Sequence, residues 1–139
     1  MEVTQTQKMK MLYEDKFPEN NNLEKLVSDD NVFRYVTFEN MQIATAMDGI
    51  FINCTFQNME FYWTLFNQTI LIDCKFLNVN FSGVNIVNAK FVKCKFDRCT
   101  FRNDNIGGCC RYENITWCEN EFINCENPPH FDPIKGQNQ

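Results

Sequence analysis

Through the middle of the chain a large apolar residue returns at every fifth position: Phe51, Phe56, Phe61, Phe66, Leu71, Phe76, Phe81, Ile86, Phe91, Phe96, Phe101 and Ile106. A period of five is neither the 3.6 of an amphipathic helix nor the 2.0 of a plain strand, so the repeat is read before local propensity. Two residues ahead of the series runs a second one, mostly small or apolar: Cys54, Met59, Thr64, Thr69, Cys74, Val79, Val84, Ala89, Cys94, Cys99 and Asp104. Each unit therefore directs one large and one small group inward. Polar residues lie between them, often Asn, as at Asn53, Asn58, Asn78, Asn88 and Asn103. Asn tolerates bends and bonds to nearby backbone.

Identities also repeat at twenty: Cys54, Cys74 and Cys94; Phe56, Phe76 and Phe96; Phe61, Phe81 and Phe101. Four units would make one turn with four faces, and like side chains would stack at the strand spacing of ~4.8 Å. Backbone hydrogen bonds would then run between successive turns, as in other solenoids. Upstream, Phe33, Phe38 and Ile43 keep the spacing, with Val36 and Met41 in the small positions. Phe51 follows Ile43 by eight residues, which predicts three inserted residues between Ala46 and Gly49. Downstream, Tyr112, Trp117 and Phe122 continue one residue late, with Gly107 and Gly108 at the slip and Cys110 and Ile115 in the small positions. The pattern predicts an all-β stack over residues 33–126, with four to five turns and a length of roughly 22 Å.

Segments such as Asn53-Cys54-Thr55-Phe56-Gln57 and Lys93-Cys94-Lys95-Phe96-Asp97 resemble the pentapeptide-repeat family, whose motif centres on Leu or Phe with a small residue two positions earlier. The resemblance covers about two thirds of the chain. It implies a right-handed quadrilateral β-helix and no shared catalytic residues. Met59, Asp104 and Asn120 depart from the preferred small residue. Some relatives of this fold mimic duplex DNA and protect topoisomerases. A small bacterial member of the family would be an immunity or inhibitor protein that blocks a toxin.

The chain has 139 residues, enough for one modest core, and a formal charge of −5. Residues 51–106 hold six bases and four acids, while both flanks are acidic. That distribution disfavours nucleic acid as a partner. It also lacks the long acidic flank that a DNA mimic needs. Eight cysteines without an apolar leader in Met1 to Lys10 point to the cytoplasm, with reduced thiols. No run is long and apolar enough for a spanning helix, so no membrane partner is expected.

The ends read as caps. Residues 1–32 form an arm or capping segment, with a short helix from Asn22 to Asp30 capped by Asn22 and an arm containing Met9, Met11, Leu12, Tyr13 and Phe17. Residues 127–139 form a C-terminal cap and tail. There Pro128, Pro129 and Pro133 stop the ladder and Phe131 or Ile134 anchors the chain.

No catalytic constellation, cofactor motif or metal site emerges. His130 is the only histidine and has no partner pair. Cys109, Cys110, Cys118 and Cys125 lack the paired spacing of a structural zinc site. Function is therefore sought on the surface, as a non-catalytic protein–protein interaction module. Ile50, Ile52, Ile70, Ile72 and Val92 fall on one outward face, to be covered by the N-terminal segment or the tail, or to serve a homodimer or another protein. Tyr62, Trp63 and Leu65 form a second candidate anchor. Lys75 and Lys95, with Lys93, Arg98 and Arg102 near them, would receive an acidic partner. A structural homodimer or scaffold and a topoisomerase-protecting DNA mimic are the alternatives.

Overall fold

The computed structural model describes residues 11–17 and 23–130. Asn22, Met9, Phe131, Pro133 and Ile134, which carry expectations above, lie outside that range.

Inward Phe, Met and Ile side chains organise the first turn: β2 (Val32–Arg34), β3 (Thr37–Glu39), β4 (Gln42–Ile43) and β5 (Ala46–Met47). It follows β1 (Leu12–Glu14) and α1 (Leu23–Ser28). The second turn contains β6 (Ile50–Ile52), β7 (Thr55–Tyr62) and β8 (Leu65–Asn67), and the third β9 (Ile70–Ile72), β10 (Lys75–Ser82) and β11 (Asn85–Val87). The fourth contains β12 (Lys90–Val92), β13 (Lys95–Asp97), β14 (Thr100–Arg102) and β15 (Arg111–Glu113), after which β16 (Thr116–Cys118) and β17 (Glu121–Ile123) begin another. All pairings are parallel and join successive turns. The molecule is thus a four-sided parallel β-solenoid of about four turns. One six-stranded sheet runs β1-β2-β6-β9-β12-β16, a second covers two faces because β7 and β10 pass unbroken through a corner, and a third runs β15-β11-β8-β5.

The twenty-residue repeat becomes a register. Phe76 pairs with Phe56 and Phe96, and its ring stacks on theirs at 4.9 and 4.6 Å. Each fully buried Phe contributes about 1.5–3 kcal/mol of transfer free energy. The corners between faces place a residue in the left-handed region, for example Asn53 (φ 54°), Asn58 (53°), Asn78 (55°) and Asn88 (53°). Asn is among the residues that enter this region at least cost, which accounts for its frequency between inward pairs.

The Cys and Thr members of the smaller inward series are hydrogen-bond donors. Cys54, Cys74 and Cys94 donate their S–H to the carbonyls of Phe33, Phe51 and Leu71 at 3.3, 3.2 and 3.4 Å. Thr64 and Thr69 do the same to Ile43 and Met47, and Cys99 to Phe76. Burial pushes the Cys74 thiol well up and the Cys99 thiol up to about 12, so both stay protonated and able to donate. Asn120, a departure from the small-residue motif, keeps the role: its amide donates to Phe91 O at 2.8 Å and its oxygen accepts from the Cys94 N–H.

Both slips differ from the sequence expectation. Upstream there is no three-residue insertion: Met47 is fully buried and fills an inward place opposite Phe66. Phe33 pairs with Phe51 and Ile43 with Phe61, which makes this turn two residues short. Gly49 (φ 114°) closes it, where a Cβ would lie 2.5 Å from Asn31 O. Downstream, Ile86 pairs with Tyr112 and Phe91 with Trp117. The true insertion is thus six residues, between β14 and β15. Ile106, read as an inward member of the series, is 80% exposed. Asp104 does not point inward either; it latches the inserted loop.

At the N-terminal end β1 adds a strand beside β2, Tyr13 stacks on Phe33 at 5.2 Å, Phe17 meets Phe38 edge-on, and α1 buries Leu26 and Val27. At the other end Tyr112, Trp117 and Phe122 pack against the core. The ladder stops after the bridge between Thr100 and Glu126. Pro129 there joins Phe101, Tyr112 and Trp117 in lining a small apolar hollow.

Candidate functional site

The six-stranded sheet carries an ordered set of outward apolar groups. Parallel register aligns Leu12, Val32, Ile50 and Ile70 in one column and Ile52, Ile72, Val92 and Cys118 in the next. Ile50, Ile52, Ile70, Ile72 and Val92 are all half-buried. Their mutual contact removes part of each side chain from water and leaves a flat apolar stripe. Six strands at the usual spacing extend it over roughly 24 Å. An ion pair between Arg34 and Glu14 at 2.9 Å bounds one end, and Lys90 and Thr116 replace apolar residues in the first column near the other.

Expected coverage of the stripe by the N-terminal arm is not what the described residues show. The arm pairs edge-on with β2 and lengthens the stripe through Leu12 and Val32. The sequence reading did not include these two residues: the pairing of β2 with β6 sets Val32 beside Ile50, and the pairing of β1 with β2 sets Leu12 beside Val32.

Tyr62 and Trp63 occupy a corner and do face outward, Trp63 at 54% exposure. Their polar atoms, however, are engaged within the chain. Trp63 Nε1 donates to Asp104 Oδ2 at 2.6 Å, and Tyr62 Oη accepts the Asn105 N–H at 3.0 Å. Asp104 Oδ1 accepts from the Ile106 and Gly108 N–H groups at 2.9 and 2.7 Å. These donors, Gly108 and the Trp63 indole foremost, hold the Asp104 carboxyl below its usual range. One carboxylate thus fastens the inserted loop to the corner, more than forty residues away in sequence.

The lowered value sets the sign of the pH effect. The latch is intact above the ordinary carboxyl value near 3.8 and is lost as pH falls through the lower folded value. Asp104→Ala is expected to free the indole and raise amide exchange at Ile106 and Gly108 at least tenfold at pH 7, with the turns intact. Wild type should behave likewise only below about pH 3.8. Unchanged exchange at both amides in the variant would refute the latch.

The remaining predicted residues do not form one patch. Lys75 and Lys95 stack in register, but Thr55 and Glu121 flank them in the same column. Arg98 pairs with Asp97 at 3.4 Å. Arg102 reaches Glu60 at 3.3 Å and donates through Nε to the buried Ser82 hydroxyl. Leu65 is half-buried between Ala46 and Asn85. Intramolecular partners thus already occupy both arginines.

Among the described residues no group of three or more His, Cys, Asp or Glu could hold a metal ion. Cys109 is exposed, and Cys110 and Cys125 donate to the carbonyls of Phe81 and Phe96. His130 is exposed. No helix among the described residues is long and apolar enough to cross a membrane.

Comparison with known proteins adds four findings. The family model of the SV2A/B/C luminal domain matches residues 3–81. The model of pentapeptide repeats (8 copies) matches residues 66–103, which together with the four-sided solenoid supports the pentapeptide-repeat resemblance. A solved structure of QnrB1, a plasmid-mediated fluoroquinolone resistance protein, is similar over 84% of this chain and 70% of that chain, at 10% identity and a TM-score of 0.22. That likeness is too weak to carry a functional argument. No curated protein matches the chain.

Proposed function

We propose, on the premise that the chain belongs to the SV2A/B/C luminal domain family, whose model matches more than half of it, that it is a non-catalytic protein-binding module. The observation that carries this reading is the apolar stripe on the six-stranded sheet. A rigid solenoid holds its side chains in order before contact, which lowers the ordering cost of binding. A flat apolar centre with polar ends has the composition of an interface core and rim. The family's name supports a luminal setting, which we adopt in place of the cytoplasmic expectation. The partner is another protein.

Ile72 sits at the centre of the stripe, between Ile52 and Val92. Ile72→Lys is expected to weaken capture of a partner from native membranes by at least tenfold, with the circular dichroism spectrum unchanged. Asn78→Lys, on another face, is the control. Equal loss in both variants, or none in Ile72→Lys, would remove the stripe from the reading.

A homodimer is the second reading, favoured by the same stripe. Light scattering across a concentration series distinguishes it, because Ile72→Lys would then dissolve a dimer. The finer idea of an inhibitor that neutralises a toxin draws only on the pentapeptide-repeat resemblance. The DNA-mimic alternative finds no support in a central region that holds more bases than acids.

A further inference from the structure

We propose that Cys99 and Cys125 join in a disulfide that pins the C-terminal end of the stack. The inference rests on the luminal reading above, because secretory compartments oxidise thiols that the cytosol keeps reduced. The two residues are 26 apart in sequence. The pairs Asp97–Ile123 and Thr100–Glu126 bracket them, so Cys99 and Cys125 stand opposite each other on successive turns. Their Cα atoms are therefore held near the strand spacing of ~4.8 Å, inside the roughly 4.4–6.8 Å that a disulfide spans. Cys125 Sγ already lies 3.4 Å from the Cys99 backbone nitrogen, whose N–H it accepts. Cys99 Sγ donates to Phe76 O at 3.2 Å. A side-chain rotation at Cys99 exchanges that contact for the S–S bond.

Access singles out this pair. Cys54, Cys74 and Cys94 also stack in register, but all three are fully buried. Asn120 closes their column at the C-terminal end by bonding the Cys94 N–H and Phe91 O. Cys125 is half-buried and follows β17, the last strand of its sheet among the described residues. An oxidant can reach it. Burial pushes the Cys99 thiol up to about 12, which assigns the first attack to Cys125.

The oxidant is the disulfide of a thiol–disulfide oxidoreductase. Cys125 loses its proton, and its sulfur bonds to one oxidant sulfur while the oxidant S–S bond breaks. Cys99 then loses its proton and its sulfur attacks Cys125 Sγ. The mixed bond breaks and the second oxidant thiol leaves. Two protons and two electrons pass from the pair, and the oxidant becomes a dithiol.

The position gives the bond its role. Beyond β17 the ladder is held by the Thr100–Glu126 bridge, in which Glu126 N–H donates to Cys99 O at 2.9 Å and Phe101 N–H to Glu126 O at 3.0 Å. Pro129 follows and lines the apolar hollow with Phe101, Tyr112 and Trp117. A covalent tie at Cys125 keeps this closing segment on the fourth turn.

The full chain is directed into the endoplasmic reticulum of cultured cells by a cleavable leader. The product, secreted or retained, is alkylated and then mapped by mass spectrometry without reduction. A linked peptide pair containing Cys99 and Cys125 is expected. Free thiols at both, or a bond from either to another cysteine, overturn the pairing. Reduction of the wild type should raise amide exchange at Phe101 and Glu126 at least tenfold. Cys125→Val should exchange fast with or without reductant; valine is the choice because Val79 precedes Cys99 in the same column. Exchange in the linked wild type that reduction leaves unchanged overturns the pinning role. Protease protection of the native protein in intact vesicles tests the luminal reading separately. Full digestion there sinks that reading and the disulfide together, whereas protection with free Cys99 and Cys125 sinks this inference alone.

Discussion

Phe76→Ala is expected to lower the free energy of unfolding by about 3–5 kcal/mol. The ring is fully buried and stacked between Phe56 and Phe96, with Phe61 and Phe81 against its sides at 6.5 and 5.7 Å. Removing it leaves a hole that the surroundings cannot easily close. The backbone ladder of β7, β10 and β13 holds the neighbouring rings at the strand spacing. In a solenoid each turn is stabilised chiefly by its neighbours, so a cavity in the third turn weakens its contacts with the second and the fourth together. Against a total of about 5–15 kcal/mol, the loss is large enough to leave the variant marginal. Urea denaturation followed by circular dichroism measures it. A loss below ~1 kcal/mol would place the ring outside a packed stack.

Gly49→Ala is expected to cost more than ~2 kcal/mol, from backbone strain and a clash acting together. At φ 114° an alanine is strained, and its Cβ would sit 2.5 Å from the Asn31 carbonyl oxygen. That neighbour cannot swing aside. Asn31 accepts the Met11 N–H and donates to Leu26 O through its side chain, while its backbone oxygen accepts the Ile50 N–H. One residue therefore joins the arm, the capping helix and the start of the second turn. Gly107→Ala is the matched control, since it shares a positive φ of 88° but has no atom within 4 Å of the added carbon. It should cost only about 1 kcal/mol. Equal effects in the two variants would mean that the Asn31 contact is unimportant. Hydrogen exchange should show the Gly49→Ala damage concentrated in β1, α1 and β2.

The five-residue spacing was enough to identify Phe33, Phe56, Phe76, Phe96 and Cys74 as interior, and all are buried. It was enough because the constraint is local: one inward pair per unit, followed by a corner that Asn adopts cheaply. The same logic failed where the number of residues per turn changed. Ile106 keeps perfect spacing yet is exposed, because Asp104 binds the amides of Ile106 and Gly108 and diverts the chain before the next inward place. Met47 breaks the spacing yet is buried, because Gly49 allows a shorter turn. Periodicity registers neither event: one rests on a carboxylate that bonds its own loop and the Trp63 indole, the other on a positive-φ glycine set against Asn31.

The candidate surface divides in the same way. That Ile50, Ile52, Ile70, Ile72 and Val92 share a face followed from their separation by twenty residues, and that Trp63 faces outward followed from its place after Phe61. The engagement of Trp63 by Asp104, of Arg102 by Glu60 and Ser82, and the lengthening of the stripe through Leu12 did not. Leu12–Val32 and Ser82–Arg102 do lie twenty apart, but Trp63–Asp104 and Arg102–Glu60 join residues 41 and 42 apart, and spacing alone does not say which outward groups bond.

The order of residues alone determined the four-sided winding and its aromatic interior, because side-chain alternation and corner geometry act over five residues at a time. Only the tertiary structure decided where turns shorten or lengthen, which outward groups are already bonded, and which strand is left at the edge. Those outcomes depend on hydrogen bonds and close contacts between segments that the linear pattern does not bring together.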